Sequence, residues 1–509
     1  MMQPVVRCAD VERSYPEIAE RISRMTGVLR AHAIGPGDNV ALMLWNSIEF
    51  LELSAAIAAV GANPVPINWH LRASEVQYLL QDSVSKLLFV HSAALSEIAM
   101  TVPDGVDLIE VEMSPGLQQA LGLPVLDQTQ HRTLESWVNE SAPVDAVSSS
   151  TGGMGVIYTS GTTGKPKGVV RQPVSVAQLE RMALTVVDRF GLQPGTRTLL
   201  LAPLYHAAAN TTAMIAFRVQ ADITIMPRFD AREFLRLVDE HRIEHCQVVP
   251  TMFVRLLELP EHERGQYDLS TLENVTHTAA PCPPHVKRAM IDWLGPVVTE
   301  YYGSSEVGAI AWCDSREWLE HAGTVGKPTF GAAVRVIADD GTEQPANESG
   351  LVYVKPAEFW PDFTYLGDDS KRTAMEVEGY VTLGDIGYVD SDGYLYLNDR
   401  ASDMAVAGGV NIYPAEIEAT IIAIPGVRDV AVFGIPDNEF GEVLAAHIDV
   451  DPQFGLTAES IRADLRSQLA RYKVPRTIVF DNALPRDESG KLFKRQLRDQ
   501  YWEGAGRKI

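Results

Sequence analysis

An alternation of helix-like and strand-like stretches sets the strongest limit on how this chain can fold. Residues 15–33 carry Ile18, Ile22, Met25, Val28 and Leu29 at helical spacing, Gly35-Pro36-Gly37-Asp38 supplies a turn, and 40–45 reads as a short buried strand. The cycle repeats through a helix-like stretch at 49–60, a break at Gly61 and an apolar strand at 63–67, and the same rhythm returns over 198–256. Strands that alternate with helices predict a largely parallel sheet covered on both faces.

The texture changes near residue 320. Short alternating strands at 334–338, 351–354 and 394–397 stand between turns such as Asp339-Asp340-Gly341 and Asp390-Ser391-Asp392-Gly393, which is the pattern of an antiparallel sheet. After Arg400 an α+β pattern begins, with helices expected at 414–423 and 457–471 and strands at 428–433 and 477–480. Residues 103–152 are poorer in pattern, and 148–155 reads as a loop. The expected fold class is α/β: a large body of parallel-sheet α/β subdomains with a small antiparallel β subdomain over 1–399, followed by a small α+β lid over 400–509.

Charge narrows the partners. The chain has a formal net charge of −24 over 509 residues, a surface that repels phosphate backbones and anionic membranes. Nucleic acid is therefore not an expected partner, and any nucleotide must be held by a local site. Cys8, Cys246, Cys282 and Cys313 show no metal-ligand or disulfide-framework spacing, which fits a reducing cytosol. Acidic residues arrive too early for a signal peptide, and no apolar run approaches a membrane span. A cytoplasmic protein is expected.

The most informative string is YTSGTTGKPKGVV at 158–170, where an apolar strand runs into hydroxyls, glycines and lysines. Glycines let backbone N–H groups converge, hydroxyls donate short hydrogen bonds and lysines balance charge, so the composition suits a polyphosphate. By composition alone such a loop is as often an ordinary turn. It is not a Walker A loop, because Thr159 stands where the first glycine belongs and Pro166 takes the Ser/Thr place. HExxH, GxSxG and GxGxxG are absent, which leaves metal-hydrolase, serine-hydrolase and dinucleotide readings without support.

As an ordered string, this segment resembles the signature phosphate loop of the adenylate-forming superfamily, which includes acyl- and aryl-CoA synthetases, luciferases and peptide-synthetase adenylation domains. The resemblance continues in order through PLYHAAAN (203–210), TEYYGSSEVG (299–308), LGDIGYVDSDGYLYLNDR (383–400), GGVNIYPAEIE (408–418) and PRDESGK (485–491). It implies a free-standing acyl-CoA synthetase with a mobile C-terminal lid. Thr159, Ser160, Gly161, Thr162, Thr163, Gly164, Lys165 and Lys167 would then hold ATP phosphates, with Thr159 also in the catalytic group. Ala280, Pro281, Tyr301, Tyr302, Gly303, Ser304 and Ser305 would also bind ATP or AMP, Tyr302 stacking on the adenine. Glu306 would ligate Mg²⁺, although an isolated glutamate here would read as a helix first-turn acid. Asp385 would accept both ribose hydroxyls with Arg400 beside it, Leu383 standing where relatives have a threonine.

The resemblance also assigns the acyl and thiol ends. Tyr205, His206, Ala207, Thr278 and Ala279 would border the acyl group, with Ala208 and Ala209 leaving further space. His206 is not needed as a base, since a carboxylate is already a nucleophile at neutral pH. Lys491 matches the catalytic lysine that neutralises charge as the carboxylate attacks the α-phosphate, whereas Lys491, Lys494, Arg495 and Arg498 would otherwise read as a solvated basic helix face. Gly408 and Gly409 would line the pantetheine tunnel, Tyr472 and Arg476 would meet CoA, and Ser402 would be the hinge. The implied reaction consumes ATP with Mg²⁺ and CoA. The chain ends eighteen residues past Lys491 with no fused carrier domain, which favours CoA as acceptor. Medium- to long-chain fatty acid is the first choice of acid, with aromatic and sterol-side-chain acids behind it. An acyl-AMP ligase that loads a separate carrier protein is the alternative reaction. A luciferase-like oxidation and a catalytically silent relative are more distant, and a homodimer is left open.

Overall fold

The structure, a computed structural model, describes residues 3–124, 131–144, 151–152, 155–159, 166–407, 410–437, 440–487 and 490–503. Among these, the largest sheet has nine strands. Its parallel core runs Val5–Cys8, Asp222–Ile225, Arg197–Leu200, His245–Val248, Asn274–His277 and Val298–Ser304, and Gly308–Cys313 continues it antiparallel. A second, all-parallel sheet orders Asn63–Pro66, Asn39–Met43, Ser85–His91 and Asp107–Val111. Helices Tyr15–Ala31 and Ile48–Ala59 fall where the helical spacing put them. Ser14 starts the first with a reciprocal capping box to Glu17.

Two further antiparallel sheets carry the second half of the body. Ala333–Ile337, Gly350–Lys355, Tyr380–Val389 and Leu395–Arg400 pair as their alternation predicts. Val156–Thr159 and Lys167–Arg171 form a hairpin with Thr159 opposite Lys167, and Phe363–Tyr365 joins its edge. Residues 160–165 between them, the heart of the expected phosphate loop, lie outside the described residues.

The stretch with weak patterning contains more structure than its sequence suggests. Asp107–Val111 is an edge strand whose Glu110 is buried, and Pro115–Leu121 and Leu134–Glu140 are short helices. Seven-residue helices give a periodicity too brief to stand out.

After Arg400, Val427–Asp437 and Gly441–Val450 form a long antiparallel pair, and Thr477–Phe480 adds in parallel. Helices Pro414–Ile422 and Ala458–Gln468 supply Ile417, Ile421, Ile461 and Leu465 to a core with Val430, Val432 and Ile448. Ala431, Phe433 and Ala445 alternate with these along the strands and pack instead with Leu492, Leu497 and Tyr501, so the C-terminal helix Lys494–Trp502 covers the opposite face.

Lys494 on that helix is not part of the solvated basic face its composition suggests. Lys494 Nζ lies 2.8 Å from Glu418 Oε1, with side-chain exposures of only 13% and 19%. Burial raises the Glu418 carboxyl, while Lys494 and the Val432 N–H favour its charged form. Lys494→Met should therefore leave a desolvated carboxylate and cost about 3 kcal/mol. Hydrogen exchange of Val427–Asp437 would report the loss, and Glu418→Gln/Lys494→Met should cost less than the summed single changes.

Candidate functional site

Parallel sheets of this kind hold their ligands in a crevice beyond the C-terminal ends of the strands. Strand Val298–Ser304 carries Tyr301, Tyr302, Gly303 and Ser304 to this edge. Its register against Gly308–Cys313 shifts between Tyr302 and Gly303. A Cβ on Gly303 would sit 2.0 Å from the Gly308 carbonyl oxygen, so only glycine permits this close turn.

Tyr302 Oη donates to Asp385 Oδ2 at 2.5 Å, and Arg400 Nε stands 3.5 Å from Asp385 Oδ1. Asp385 and Arg400 are directly opposed in the antiparallel pair Tyr380–Val389 and Leu395–Arg400. Burial raises the Asp385 carboxyl above its ordinary range, opposed by Arg400 and by the Tyr302 hydrogen bond. Tyr301 points elsewhere: its hydroxyl accepts from Gln247 Nε2 at 3.3 Å, and its carbonyl accepts from Thr278 Oγ1 at 2.9 Å. Thr278 is buried, whereas Ala279 is exposed and takes a left-handed φ of 75° that is unusual for alanine. Ala280 and Pro281 follow in the loop before helix Pro284–Leu294.

Glu306 is held on three sides. Its Oε1 accepts from Tyr365 Oη at 3.0 Å, its N–H donates to Ser304 Oγ at 3.1 Å and its carbonyl accepts from Trp360 Nε1 at 3.2 Å. The neighbouring Ser305 carbonyl accepts from Arg171 Nε and Nη2 at 3.1 and 2.5 Å. Burial lowers Arg171 to about 10, with Glu306 pulling the other way. Lys167 Nζ sits 2.9 Å from Asp368 Oδ2, and Lys371 Nζ lies 4.3 Å over the Tyr365 ring. A carboxylate with its orientation fixed by a tyrosine, beside several cations, fits a hard Mg²⁺ ion carried by a polyphosphate.

Lys491 comes to the same place from the C-terminal unit. Its backbone N–H donates to Asp487 Oδ1 at 2.9 Å. Burial lowers the Lys491 ammonium below the usual lysine range and Arg400 adds to this, while Asp487 and Glu306 oppose it. Asp487 Oδ2 lies 3.9 Å from His206 Nε2, at the start of helix Ala207–Arg218. Tyr205 is buried with its ring 4.5 Å from that of His206. Ala207 and Ala209 form the first turn of the helix.

The CoA-side expectations fare differently. Gly408 and Gly409 lie outside the described residues, as do Ser160, Gly161, Thr162, Thr163, Gly164 and Lys165. Tyr472 is exposed on the short turn Arg471–Lys473, and Arg476 pairs with Asp437 at 3.0 Å beside the Phe440 ring. Ser402 is exposed, and its carbonyl accepts from Arg498 Nη1 at 3.1 Å. Sheet pairing stops at Arg400, two residues earlier. Sequence reading missed Arg171, Trp360, Tyr365, Lys371 and Asp487. Arg171 adjoins the quoted 158–170 string and Asp487 lies inside PRDESGK, so both were findable there, whereas Trp360, Tyr365 and Lys371 sit in no local pattern.

Half-buried Tyr302, buried Asp385 and exposed Arg400 meet a lysine from a separate C-terminal unit, an arrangement suited to holding a nucleotide beside a cation. The chain belongs to the AMP-binding enzymes: that family's profile matches residues 3–358, and the AMP-binding enzyme C-terminal domain matches 416–491. It is an AMP-forming acid–thiol ligase of the acyl-CoA ligase group. It is 33% identical to the long-chain-fatty-acid–CoA ligase FadD13 of Mycobacterium tuberculosis, over 97% of this chain and 94% of that one. It is 29% identical to the fatty acid–[acyl-carrier-protein] ligase ScoC of Streptomyces coeruleorubidus, over 99% and 95% of the two chains. ATP-bound MatB from Rhodopseudomonas palustris superposes with a TM-score of 0.84 at 26% identity, covering 98% of this chain and 96% of that one. No helix among the described residues is long and apolar enough to cross a membrane.

Gly490 decides how Lys491 docks. It has φ +77°, and a Cβ there would lie 2.4 Å from the Thr251 side chain of the body. Gly490→Ala should weaken docking by the strain of a left-handed alanine plus this clash, lowering acid-dependent pyrophosphate release about tenfold. Thr251→Ala in the same protein should restore part of the loss by removing the clash while the backbone strain remains.

Proposed function

We propose that this ligase activates a medium- to long-chain carboxylic acid as its acyl-adenylate and transfers the acyl group to CoA. The convergence of Lys491, Glu306, Arg400 and Asp385 on one crevice carries the reading. The acid's carboxylate oxygen attacks the α-phosphorus of ATP, the bond to the bridging oxygen breaks and pyrophosphate leaves. The thiolate of CoA then attacks the acyl carbonyl, AMP departs and the thiol proton passes to solvent.

In the first half, the Lys491 ammonium balances the charge that develops between carboxylate and α-phosphate. Asp385 accepts the ribose hydroxyls in a bidentate manner, Tyr302 gives its ring face to the adenine, and Glu306 would hold the Mg²⁺, which would screen the phosphate charges. Thr159 and Lys167 flank the phosphate loop. His206 borders the carboxylate together with Tyr205, Ala207, Thr278 and Ala279. In the second half, residues 400–509 turn as a unit about Ser402, withdrawing Lys491 and bringing Gly408 and Gly409 to the crevice, with Tyr472 and Arg476 toward CoA. The exposed position of Ser402 immediately beyond the last sheet pairing supports this hinge. FadD13, a long-chain-fatty-acid–CoA ligase, supports both the acid and the acceptor. Four unpaired cysteines support work in the reducing cytoplasm.

Pyrophosphate release across a panel of fatty, aromatic and sterol-like acids, with and without CoA, tests the reading. Turnover with fatty acids that also yields their CoA thioesters is expected; pyrophosphate without a CoA product would replace it with carrier-protein loading.

Lys491→Ala should lower acyl-adenylate formation by about 10²–10³-fold and still convert supplied acyl-AMP plus CoA. Equal loss of both halves would remove the assigned division of labour. The protonated lysine is the active form, so its lowered pKa should make kcat/KM for pyrophosphate release fall on the alkaline side before the ordinary lysine value of about 10.4. Lys491→Arg, which stays charged, should move that alkaline limb upward in a pH–rate profile.

A further inference from the structure

The wall behind the acyl position is polar where a binding site for a plain hydrocarbon chain would be apolar. Along one face of the large sheet stand Thr198, His245, Gln247, Thr276, Thr278 and Tyr301, at alternate positions of adjacent strands. Most of these groups satisfy one another. Thr198 Oγ1 and His245 Nδ1 are 2.7 Å apart, Thr276 and Thr299 share a 2.9 Å hydroxyl contact, and Thr278 donates to the Tyr301 carbonyl.

Gln247 does not complete the pattern. Its Nε2 donates to Tyr301 Oη at 3.3 Å, but its Oε1 has no hydrogen-bond partner among the described residues although only 6% of the residue is exposed. One strand step deeper, His245 Nε2 is in the same condition with 2% of its residue exposed. An unmet buried polar group costs about 1–3 kcal/mol, so such a group in a native interior calls for a partner. Gln247 also lines a small cavity of about 10 Å³, room for one water-sized group such as a hydroxyl, with Leu200, Ala202, Leu204 and Ala209. Ala209 lies one helical turn from His206, so this cavity continues the acyl wall inward from the end assigned to the carboxylate.

We infer that Gln247 is a specificity residue that hydrogen-bonds a hydroxyl on the acyl chain, making hydroxylated acids the preferred substrates. A hydroxyl is the group that suits the site, because it can both accept and donate, and a carboxamide offers either an oxygen or an N–H according to how it is turned. Tyr301 fixes the other end of the amide and so keeps the unmet end directed away from its own hydroxyl. A site built to pair with a hydroxyl rejects the analogue that lacks it, because the protein group is then left unpaired. His245 extends the same polar wall, and burial keeps it neutral by lowering it to about 3.

This inference rests on the fatty-acid ligase reading, and binding can separate the two. Plain dodecanoyl sulfamoyl-adenosine and a positional series of its monohydroxy derivatives are non-reactive mimics of the acyl-adenylate, titrated calorimetrically against the full-length protein. At least one hydroxylated member should bind about tenfold more tightly than the plain analogue. Gln247→Met, close in volume, should bring that ratio to about one, and Gln247→Glu should retain part of it. Ratios within one variant are unaffected by a shared loss of folded protein. Tight binding by every member with no hydroxyl preference overturns the inference and leaves the ligase reading standing. Binding by none removes the fatty-acid reading and the inference with it. A hydroxyl preference that persists in Gln247→Met assigns recognition to another residue and also overturns it.

Discussion

The short hydrogen bond from Tyr302 to Asp385 joins the two halves of the body, and the geometry of the crevice depends on it. Tyr302 belongs to the large, mostly parallel sheet, and Asp385 to the antiparallel sheet built some eighty residues later. Asp385 is 7% exposed, so its carboxylate must be paid back in hydrogen bonds and charge, and Tyr302 and Arg400 provide both. Because Arg400 is the last residue paired in that sheet, the same contact also fixes where the body stops and the C-terminal unit begins. Removing either partner would leave a buried polar group unmet and loosen the two sheets against each other.

A second constraint is electrostatic. The chain carries a net charge of −24, which repels a polyphosphate at long range. Attraction therefore has to be local and weakly screened. Lys167, Lys371, Arg171, Arg400 and Lys491 come from widely separated parts of the sequence, and several are shielded from water. Their nearby acids are placed with restraint: Asp368 holds Lys167, Asp487 holds the Lys491 backbone, and Tyr365 holds Glu306. Lys167 and Glu306 are thus oriented by a neighbour before any ligand arrives, which lowers the ordering cost of binding.

The parallel half of the fold was legible because strands buried on both faces read as apolar runs between amphipathic helices, as in 40–45 and 63–67. Asp107–Val111 escaped because buried Glu110 interrupts its apolar run, and Gly441–Val450 because two central alanines weaken its strand character. Lys494 looked solvated because its charge is visible in sequence and Glu418, seventy-six residues away, is not. The motif residues Tyr302, Glu306, Asp385 and Lys491 stood out because each lies in a short ordered string. Gln247 did not, since HCQVV reads as an ordinary buried strand and its partner Tyr301 arrives on another one.

The contacts between the C-terminal unit and the body are of a kind suited to being broken and remade. Gly490 fits against Thr251 only because it has no side chain, and Asp487 faces His206 at 3.9 Å. These are polar or backbone contacts, whereas the apolar side chains of Val427–Asp437 and Gly441–Val450 are spent within the unit, between its own helices. An interface sealed by those aliphatic groups would hold the lysine in place through both half-reactions. Contacts that water can replace at little cost suit the proposed cycle, in which the same crevice presents a lysine for adenylation and then clears it for a thiol.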